Sequence, residues 1–362
     1  MSQIRGWFAA RRPRKVVIVP IVAVLAAAAI VAATAGMSPG PTADLASATP
    51  SPSATPVVTD PRTPAPTTEP TLDPTPEPTS PTAAVVGADG RLTVLLLGSD
   101  YRRGHAGNRT DMIMVVSVDA SSGAVAAASI PRDTVNFPLP DGSVYRAKVN
   151  GLYQSYLADD PAAAGTRMRE VVAAALGVEI DGYLVLGFEG VVRLVDALGG
   201  VDVTLEKAVN DPYYWLTATK SGVFFPVGVN HLTGERALIF ARTRKGDNDF
   251  ERARRQQQLI AATAETVALR GIGILPDLLE IGATYIQTDL PLDAAPVIYR
   301  LVADAKIAGA TRVVFGPRKW ASSVGGSSFE LKVADVRGWV TTYMPPVVAP
   351  EAAASGAPTP TL

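Results

Sequence analysis

The chain has 362 residues and is 47% hydrophobic, which allows one or two domains with a sizeable core. Its 33 lysines and arginines against 34 aspartates and glutamates leave a net charge of −1, which argues against a general nucleic-acid binder. The absence of cysteine excludes a disulfide scaffold, a cysteine-ligated metal and a cysteine nucleophile, and two histidines are too few for a histidine-rich metal site.

The N-terminal residues predict a membrane anchor. Residues 1–15 carry five basic side chains and no acid, and residues 16–36 carry no charge. At about 1.5 Å per helical residue, the uncharged run spans roughly the 30 Å of a hydrocarbon core. Basic residues that flank a transmembrane helix usually stay in the cytoplasm. We therefore expect a cytoplasmic tail at 1–15, a transmembrane helix at 16–36 and an extracellular remainder. The alternative is a cleaved signal peptide, since residues 33–35 read Ala-Thr-Ala.

A linker is predicted to follow the anchor. Thirteen prolines lie between Pro39 and Pro81, interleaved with threonine, serine and alanine. Such a segment cannot pack a core and favours extended polyproline II, so residues 37–87 are expected to be a disordered spacer. The predicted globular domain covers residues 88–345, and residues 346–362 are again rich in proline and alanine, which predicts a disordered tail.

Strands and helices alternate along the predicted domain. Apolar runs predict strands at 92–98, 112–119, 124–130, 182–186, 201–205 and 313–315. Helices are predicted at 162–176, 188–198, 233–241, 250–269, 275–285 and 292–305. Because the first strands are apolar without strict alternation, we expect an α/β (α+β) domain in which a mixed central sheet has helices on both faces.

The first polar group of interest follows the first predicted strand, where open α/β sheets place ligands. Asp100 and Asp111 lie there, with Arg109 between them. Carboxylates suit a hard cation such as Mg²⁺, and the arginine fork suits phosphate oxygens. The alternative is a turn held by a structural salt bridge.

Two further polar groups lie downstream. Arg132 and Asp133 follow the third strand, where they either cap the strand edge or face a site, and Lys148 and Asn150 come next. Residues 241–257 then hold six basic and three acidic side chains.

On the helix predicted within that last segment, Arg252, Arg255 and Gln256 share one face. The start of a helix also attracts anions through its unpaired N–H groups. The alternative is a solvated, charged helix face.

Taken together and in order, these groups resemble the LytR-CpsA-Psr phosphotransferases of Gram-positive cell envelopes. The resemblance covers about residues 90–260 and is carried by the motifs LLLGSD (95–100), RTD (109–111), SIPRD (129–133), KVN (148–150), DALGGV (196–201), LTGE (232–235), RTRK (242–245), DFER (249–252) and RQQ (255–257). One departure is Glu251, where family members often carry glycine.

The resemblance implies a single extracellular domain that transfers a glycopolymer from a polyprenyl-pyrophosphate carrier to peptidoglycan, with Mg²⁺. It implies that Asp100 and Asp111 hold the metal, that one of them accepts the proton of the attacking hydroxyl, and that an apolar groove takes the lipid. The catalytic residues would be Asp100, Arg109, Asp111 and Arg132. The residues expected to bind pyrophosphate are Arg109, Arg132, Lys148, Arg242, Arg244, Arg252, Arg255 and Gln256.

Two alternatives remain open at this point. A pyrophosphatase would use the same charged residues with water as the attacking group, and a non-catalytic protein would only bind polyprenyl phosphates. The expected partners are the lipid-linked glycan, peptidoglycan and the membrane through residues 16–36, with no nucleic acid. Teichoic acid, arabinogalactan and capsule are not distinguished as the polymer, and the alanine-rich, lysine-poor composition favours an actinobacterial source.

Overall fold

Strand pairing in the computed structural model defines a mixed six-stranded sheet. The structure describes residues 85–101, 107–214, 221–291 and 293–347, and all of these lie in one compact unit. The strands are β1 (Arg91–Ser99), β2 (Thr110–Asp119), β3 (Val125–Ser129), β4 (Phe137–Pro138), β5 (Val144–Tyr145), β6 (Gly182–Leu186), β7 (Val201–Leu205), β8 (Val209–Asp211), β9 (Val223–Phe225), β10 (Gly228–Leu232), β11 (Ile286–Thr288), β12 (Thr311–Val314), β13 (Ala321–Gly325) and β14 (Ser328–Leu331). The α-helices are α1 (Leu152–Asp159), α2 (Ala164–Leu176), α3 (Phe188–Ala197), α4 (Gly234–Arg242), α5 (Asp249–Arg270), α6 (Leu275–Tyr285), α7 (Ala295–Ala303) and α8 (Val333–Tyr343).

The central sheet has the strand order β11-β6-β1-β2-β3-β12, and the other described strands form two-stranded ribbons. β1 pairs antiparallel with β2 and parallel with β6, while β3 pairs antiparallel with β2 and parallel with β12. The carboxyl ends of β1, β3, β6 and β12 therefore share one edge of the sheet with the amino end of β2. This edge is where the predicted site residues begin.

Two apolar cores cover the two faces of the sheet. Along β1, Leu96 belongs to one core, which also contains side chains of α3 to α7. Leu95 and Leu97 belong to the other core, with side chains of α1, α2 and α8. Because neighbouring strand residues point to opposite faces, both faces need apolar side chains, which explains the unbroken apolar run in β1. The predicted mixed sheet with helices on both faces is confirmed.

Glycine and asparagine set several of the element ends. α2 ends at Gly177, whose φ of 69° suits glycine, and Gly199 and Gly200 turn the chain into β7 with φ values of 74° and 93°. At the start of α5, the side chain of Asn248 accepts hydrogen bonds from the amides of Phe250 and Glu251. α7 is shorter than predicted because Pro296 lacks an N–H, so the helix begins close before it.

Of the short ribbons only β7 was predicted, since strands of two to five residues leave almost no periodic pattern. The helices α1 and α8 were not predicted either. Val85 is buried and so packs with the domain slightly before the predicted boundary at residue 88. The predicted cytoplasmic tail, transmembrane helix, nearly all of the linker and the tail beyond residue 347 lie outside the described residues. Within the described part of the chain, no helix alone is long and apolar enough to cross a membrane; α5 and the segment Ile272–Tyr285 pass that test only as a pair, bent by 105°.

Candidate active site

The shared edge of the sheet brings Asp100, Asp111 and Arg132 together. Asp100 directly follows β1, Asp111 is the second residue of the antiparallel β2, and Arg132 follows β3. The loop between the first two strands is closed at its base, because the Asp100 amide donates to the Arg109 carbonyl at 2.9 Å and the Arg109 amide donates to Asp100 Oδ1 at 2.7 Å. The two carboxylates are thus fixed by strand pairing and a short loop.

A cavity of about 260 Å³ opens from this edge between the sheet and the helices α3, α4 and α5. Part of its lining is apolar and comes from the sheet and two helices: Leu96, Leu184, Leu186, Phe188, Val191 and Leu238. The charged and polar part is formed by Asp100, Asp111, Arg132, Arg242, Arg244, Arg252 and Gln256. One cavity therefore combines an apolar surface with a dense group of cations and two carboxylates.

Asp111 is held from two sides. Its Oδ2 accepts a hydrogen bond from Arg132 Nη1 at 2.8 Å, and its Oδ1 accepts one from Asn150 Nδ2 at 3.1 Å. Burial acts to lower the pKa of Arg132, but the carboxylates of Asp111, Asp249 and Asp133 outweigh it, so the pKa is raised. Arg132 is therefore a permanent cation at the junction of β2 and β3.

Asp249, which the sequence indicated only as part of the motif DFER (249–252), lies among three arginines. Its carboxylate contacts Arg132 Nε at 3.1 Å, Arg252 Nη1 at 3.2 Å and Arg244 Nη1 at 3.4 Å. These contacts join the groups after β3 to those on α5. No local sequence signal could have joined Arg132 to this cluster, because Arg132 and Asp249 are 117 positions apart.

Arg252 is 5% exposed and lines the cavity from the first turn of α5. Among the described residues, its Nε has no hydrogen-bond partner. Burial, and then the charge of Arg132, lower the pKa of Arg252, which Asp249 opposes only in part. A buried guanidinium with an unused donor is a favourable place for an anionic ligand.

Arg242 lies where the apolar and charged parts of the lining meet. Its guanidinium carbon is 4.3 Å from the centre of the Phe188 ring, and its Nη1 donates to the Tyr214 hydroxyl at 3.1 Å. The face of an aromatic ring attracts a positively charged guanidinium group, and this stacking limits the rotation of the group. Gln256, on α5, donates through Nε2 to the Ala241 carbonyl at 3.2 Å and also faces the cavity.

The structure places three predicted site residues away from the cavity lining. Arg109 is exposed, and Lys148 pairs with Asp133 at 2.7 Å and with Ser327 Oγ at 3.1 Å. Arg255 is buried below the turn between α4 and α5, where its fork donates to Asp247 and to the Thr243 carbonyl. Helical spacing correctly groups it near Arg252, but its neighbours are backbone and carboxylate groups of the protein.

The carboxylates present would suit Mg²⁺ that is also bound by the phosphate oxygens of a ligand, but not a metal held by protein alone. Among the described residues, no group of three or more histidines, aspartates or glutamates could hold an ion. Mg²⁺ is usually bound through one or two carboxylates plus phosphate oxygens. Asp100 and Asp111 supply two such groups, and each carboxylate oxygen has lone pairs beyond the hydrogen bonds described.

Comparisons with known proteins agree with this architecture. The model of the LytR_cpsA_psr family (LytR-CpsA-Psr) matches residues 67–319. The chain is 35% identical over 209 residues to the polyisoprenyl-teichoic acid–peptidoglycan teichoic acid transferase TagU of Bacillus cereus, covering 56% of this chain and 61% of that one. It is 30% identical over 247 residues to the cell wall biosynthesis protein LcpA of Corynebacterium glutamicum, covering 57% of this chain and 45% of that one.

The chain thus spans less than two thirds of the length of these relatives. Among solved structures, the crystal structure of TagV of B. subtilis superposes with a TM-score of 0.57 at 22% sequence identity, covering 71% of this chain and 98% of that one. This likeness shows that the two share a fold.

Proposed function

Because the chain belongs to the LytR-CpsA-Psr family, we propose that it transfers a glycopolymer from a polyprenyl-pyrophosphate carrier to peptidoglycan by phosphoryl transfer. The observation that carries this proposal is the two-part cavity, in which an apolar lining joins a cluster of four arginines and two aspartates. A lipid pyrophosphate has the same two parts. The names of TagU, a transferase of polyisoprenyl-linked teichoic acid, and of LcpA support the same reading.

The arginines would contribute to catalysis by neutralising the negative charge of the phosphates. Phosphoryl transfer needs positioning and charge neutralisation more than it needs a protein nucleophile. Arg132, Arg244 and Arg252 line the charged part of the cavity and would bind the phosphate oxygens. Arg242, which stacks on Phe188, would lie next to the part of the lipid chain that is closest to the pyrophosphate. Arg255 would act by holding the turn that carries Arg244.

In the proposed step, a hydroxyl of peptidoglycan attacks the phosphorus that carries the glycan. A new P–O bond forms, the P–O bond to the bridging oxygen breaks, and polyprenyl phosphate leaves with that electron pair. Asp100 or Asp111 accepts the hydroxyl proton, and both line the cavity. We propose that the same two carboxylates hold Mg²⁺, which when bound supplies charge neutralisation to the phosphates.

We further propose that the domain works outside the cell membrane, tethered by residues 16–36 and the proline-rich linker. The carrier and the acceptor would both be available there. A reporter enzyme fused to the C-terminus of the full chain tests this topology. Activity of a reporter that works only outside the membrane supports it, whereas activity of a strictly cytoplasmic reporter contradicts it.

The activity is tested with the full-length chain in detergent, a short-chain polyprenyl-pyrophosphoryl oligosaccharide, peptidoglycan fragments and Mg²⁺. Arg244→Ala and Asp111→Ala are each expected to slow product formation at least about tenfold, because each removes a charge from the cavity. Arg254→Ala is the matched control, since Arg254 is an exposed arginine of α5 that pairs with Glu251 outside the cavity. Products are identified by mass spectrometry.

A glycan–peptidoglycan phosphodiester that forms with the wild type and Arg254→Ala, and is lost in the other two variants, supports the transferase. Release of polyprenyl phosphate without a joined product would instead indicate a pyrophosphatase. Tight retention of the lipid without turnover would indicate a carrier-binding protein.

A further inference from the structure

Asp249 has a position that the proposed chemistry does not explain. Its carboxylate contacts Arg132, Arg244 and Arg252 at 3.1, 3.4 and 3.2 Å, and its side chain is 25% exposed. It is separate from Asp100 and Asp111, to which the metal and the proton are assigned. A carboxylate repels phosphate, so its presence among phosphate-binding arginines costs affinity for the substrate.

The three arginines come from three different parts of the chain. Arg132 follows β3, Arg244 lies in the turn between α4 and α5, and Arg252 is on α5. Guanidinium groups brought so close repel each other, and the lowered pKa of the buried Arg252 reflects burial and the charge of Arg132. One carboxylate shared by all three offsets this repulsion and gives each group a directional hydrogen-bond acceptor.

The place of Asp249 on its helix accounts for only part of this arrangement. A carboxylate in the first turn interacts favourably with the helix dipole, typically by about 0.3–1 kcal/mol. Glu251 lies in the same turn and has the same advantage, yet among the described residues its carboxylate pairs with the exposed Arg254 and with no cavity arginine. The dipole therefore does not explain why Asp249 contacts three cavity cations.

We propose that Asp249 is a positioning residue whose carboxylate holds Arg132, Arg244 and Arg252 in one preformed arrangement for the pyrophosphate. The inference rests on the proposed function. Neutralising Asp249 leaves the cavity one charge more positive, so a pyrophosphate binds at least as tightly. The guanidinium groups are then no longer held where the charge of the transition state develops, so turnover falls.

The test compares Asp249→Asn with Asp249→Glu and the matched control Glu251→Gln, all in the full-length chain. Glu251→Gln makes the same charge change in the same helical turn, at a residue that pairs with the exposed Arg254 instead of the cavity arginines. Three quantities are measured: kcat in the transfer assay, Kd for geranylgeranyl pyrophosphate by titration calorimetry, and Tm.

For Asp249→Asn, we expect kcat to fall at least about tenfold while Kd stays the same or decreases. Tm should fall modestly, because the arginines lose the carboxylate that offsets their repulsion, with the chain still folded at the assay temperature. Asp249→Glu should recover part of kcat because it restores the charge, and Glu251→Gln should match the wild type. An unchanged kcat in Asp249→Asn would overturn the inference, as would a joint loss of kcat, affinity and Tm, which is the pattern of a folding defect. If the wild type itself fails to bind geranylgeranyl pyrophosphate, the proposed function fails before any variant is compared.

Discussion

A single buried aspartate organises the turn that presents Arg242 and Arg244. Asp211 is 1% exposed, and its Oδ2 accepts hydrogen bonds from the Thr243 hydroxyl and from the amides of Arg244 and Lys245. A buried carboxylate that receives three donors is costly to remove, because each donor would then lack a partner. At the residue scale, the geometry of the arginines therefore depends on a side chain that does not line the cavity.

Asp181 gives the domain a pH-dependent stability at the edge of the sheet opposite the site. Burial raises the pKa of this carboxyl from 3.8 to about 7, the hydrogen bond from the Thr93 amide opposes the rise, and Asp89 and Glu179 add to it. A carboxyl group whose pKa is raised in the native state binds its proton more tightly in the folded protein than in the unfolded chain. The wild type therefore loses stability as pH rises from about 4 to about 7.

Asp181→Asn should remove this loss, because asparagine keeps an acceptor for the Thr93 amide and does not titrate. We expect the free energy of unfolding of the variant to exceed that of the wild type at pH 8 and to approach it at pH 4. Urea denaturation at the two pH values measures this difference. A stability difference that is equal at both pH values would contradict the assignment.

At the scale of elements, α5 connects the charged cluster to the core. Its first turn carries Asp249 and Arg252, while its later turns bury Leu259, Ala262 and Val267. The helix is capped by Asn248, whose side chain accepts hydrogen bonds from the amides of Phe250 and Glu251 at 2.9 and 3.0 Å. Because the charged residues lie in the first turn, fraying there would move them directly.

Asn248→Ala should therefore destabilise the domain by about 1 kcal/mol, the usual cost of losing an N-cap side chain. Asn248→Asp is the matched control, since aspartate keeps an oxygen acceptor at the same position and should be close to the wild type. Chemical denaturation measures both values. Equal losses in the two variants would show that the cap hydrogen bonds do not account for the effect.

At the scale of the whole molecule, the cavity lies between the central sheet and the helices α3, α4 and α5, at the sheet edge that carries the charged residues. β1 and β6 supply Leu96, Leu184 and Leu186 from the sheet, and α3 supplies Val191 across from them. The same cavity then reaches the strand ends that carry the charged residues. Lipid and pyrophosphate recognition are thus expected to be separable by substitution.

Val191→Phe should fill part of the apolar lining. We expect Kd for geranylgeranyl pyrophosphate to rise about tenfold, which corresponds to the loss of about two buried CH₂ groups. Inorganic pyrophosphate is the matched ligand, and its Kd should not change because it needs only the charged residues. Equal weakening of both ligands, measured by calorimetry, would contradict a two-part cavity.

Much of the fold could be predicted from local pattern. The strands β1, β2, β3 and β6 are mostly apolar, and the helices α3, α5 and α6 lie within a residue or so of their predicted bounds. The ribbons β8–β9 and β13–β14 could not be predicted, because strands this short are stabilised by their neighbours and not by a pattern of their own.

The sequence by itself determined which motifs are present and that Asp100 and Arg132 follow apolar strands, and the family resemblance grouped them with Asp111 in one site. Only the tertiary structure decided what each charged residue contacts. It placed Lys148 against Asp133 and Arg255 against Asp247, and it made Asp249 the shared partner of three arginines. The physical reason is that an ion pair depends on distances of a few ångströms between side chains from separate elements, and no spacing along the chain specifies these distances.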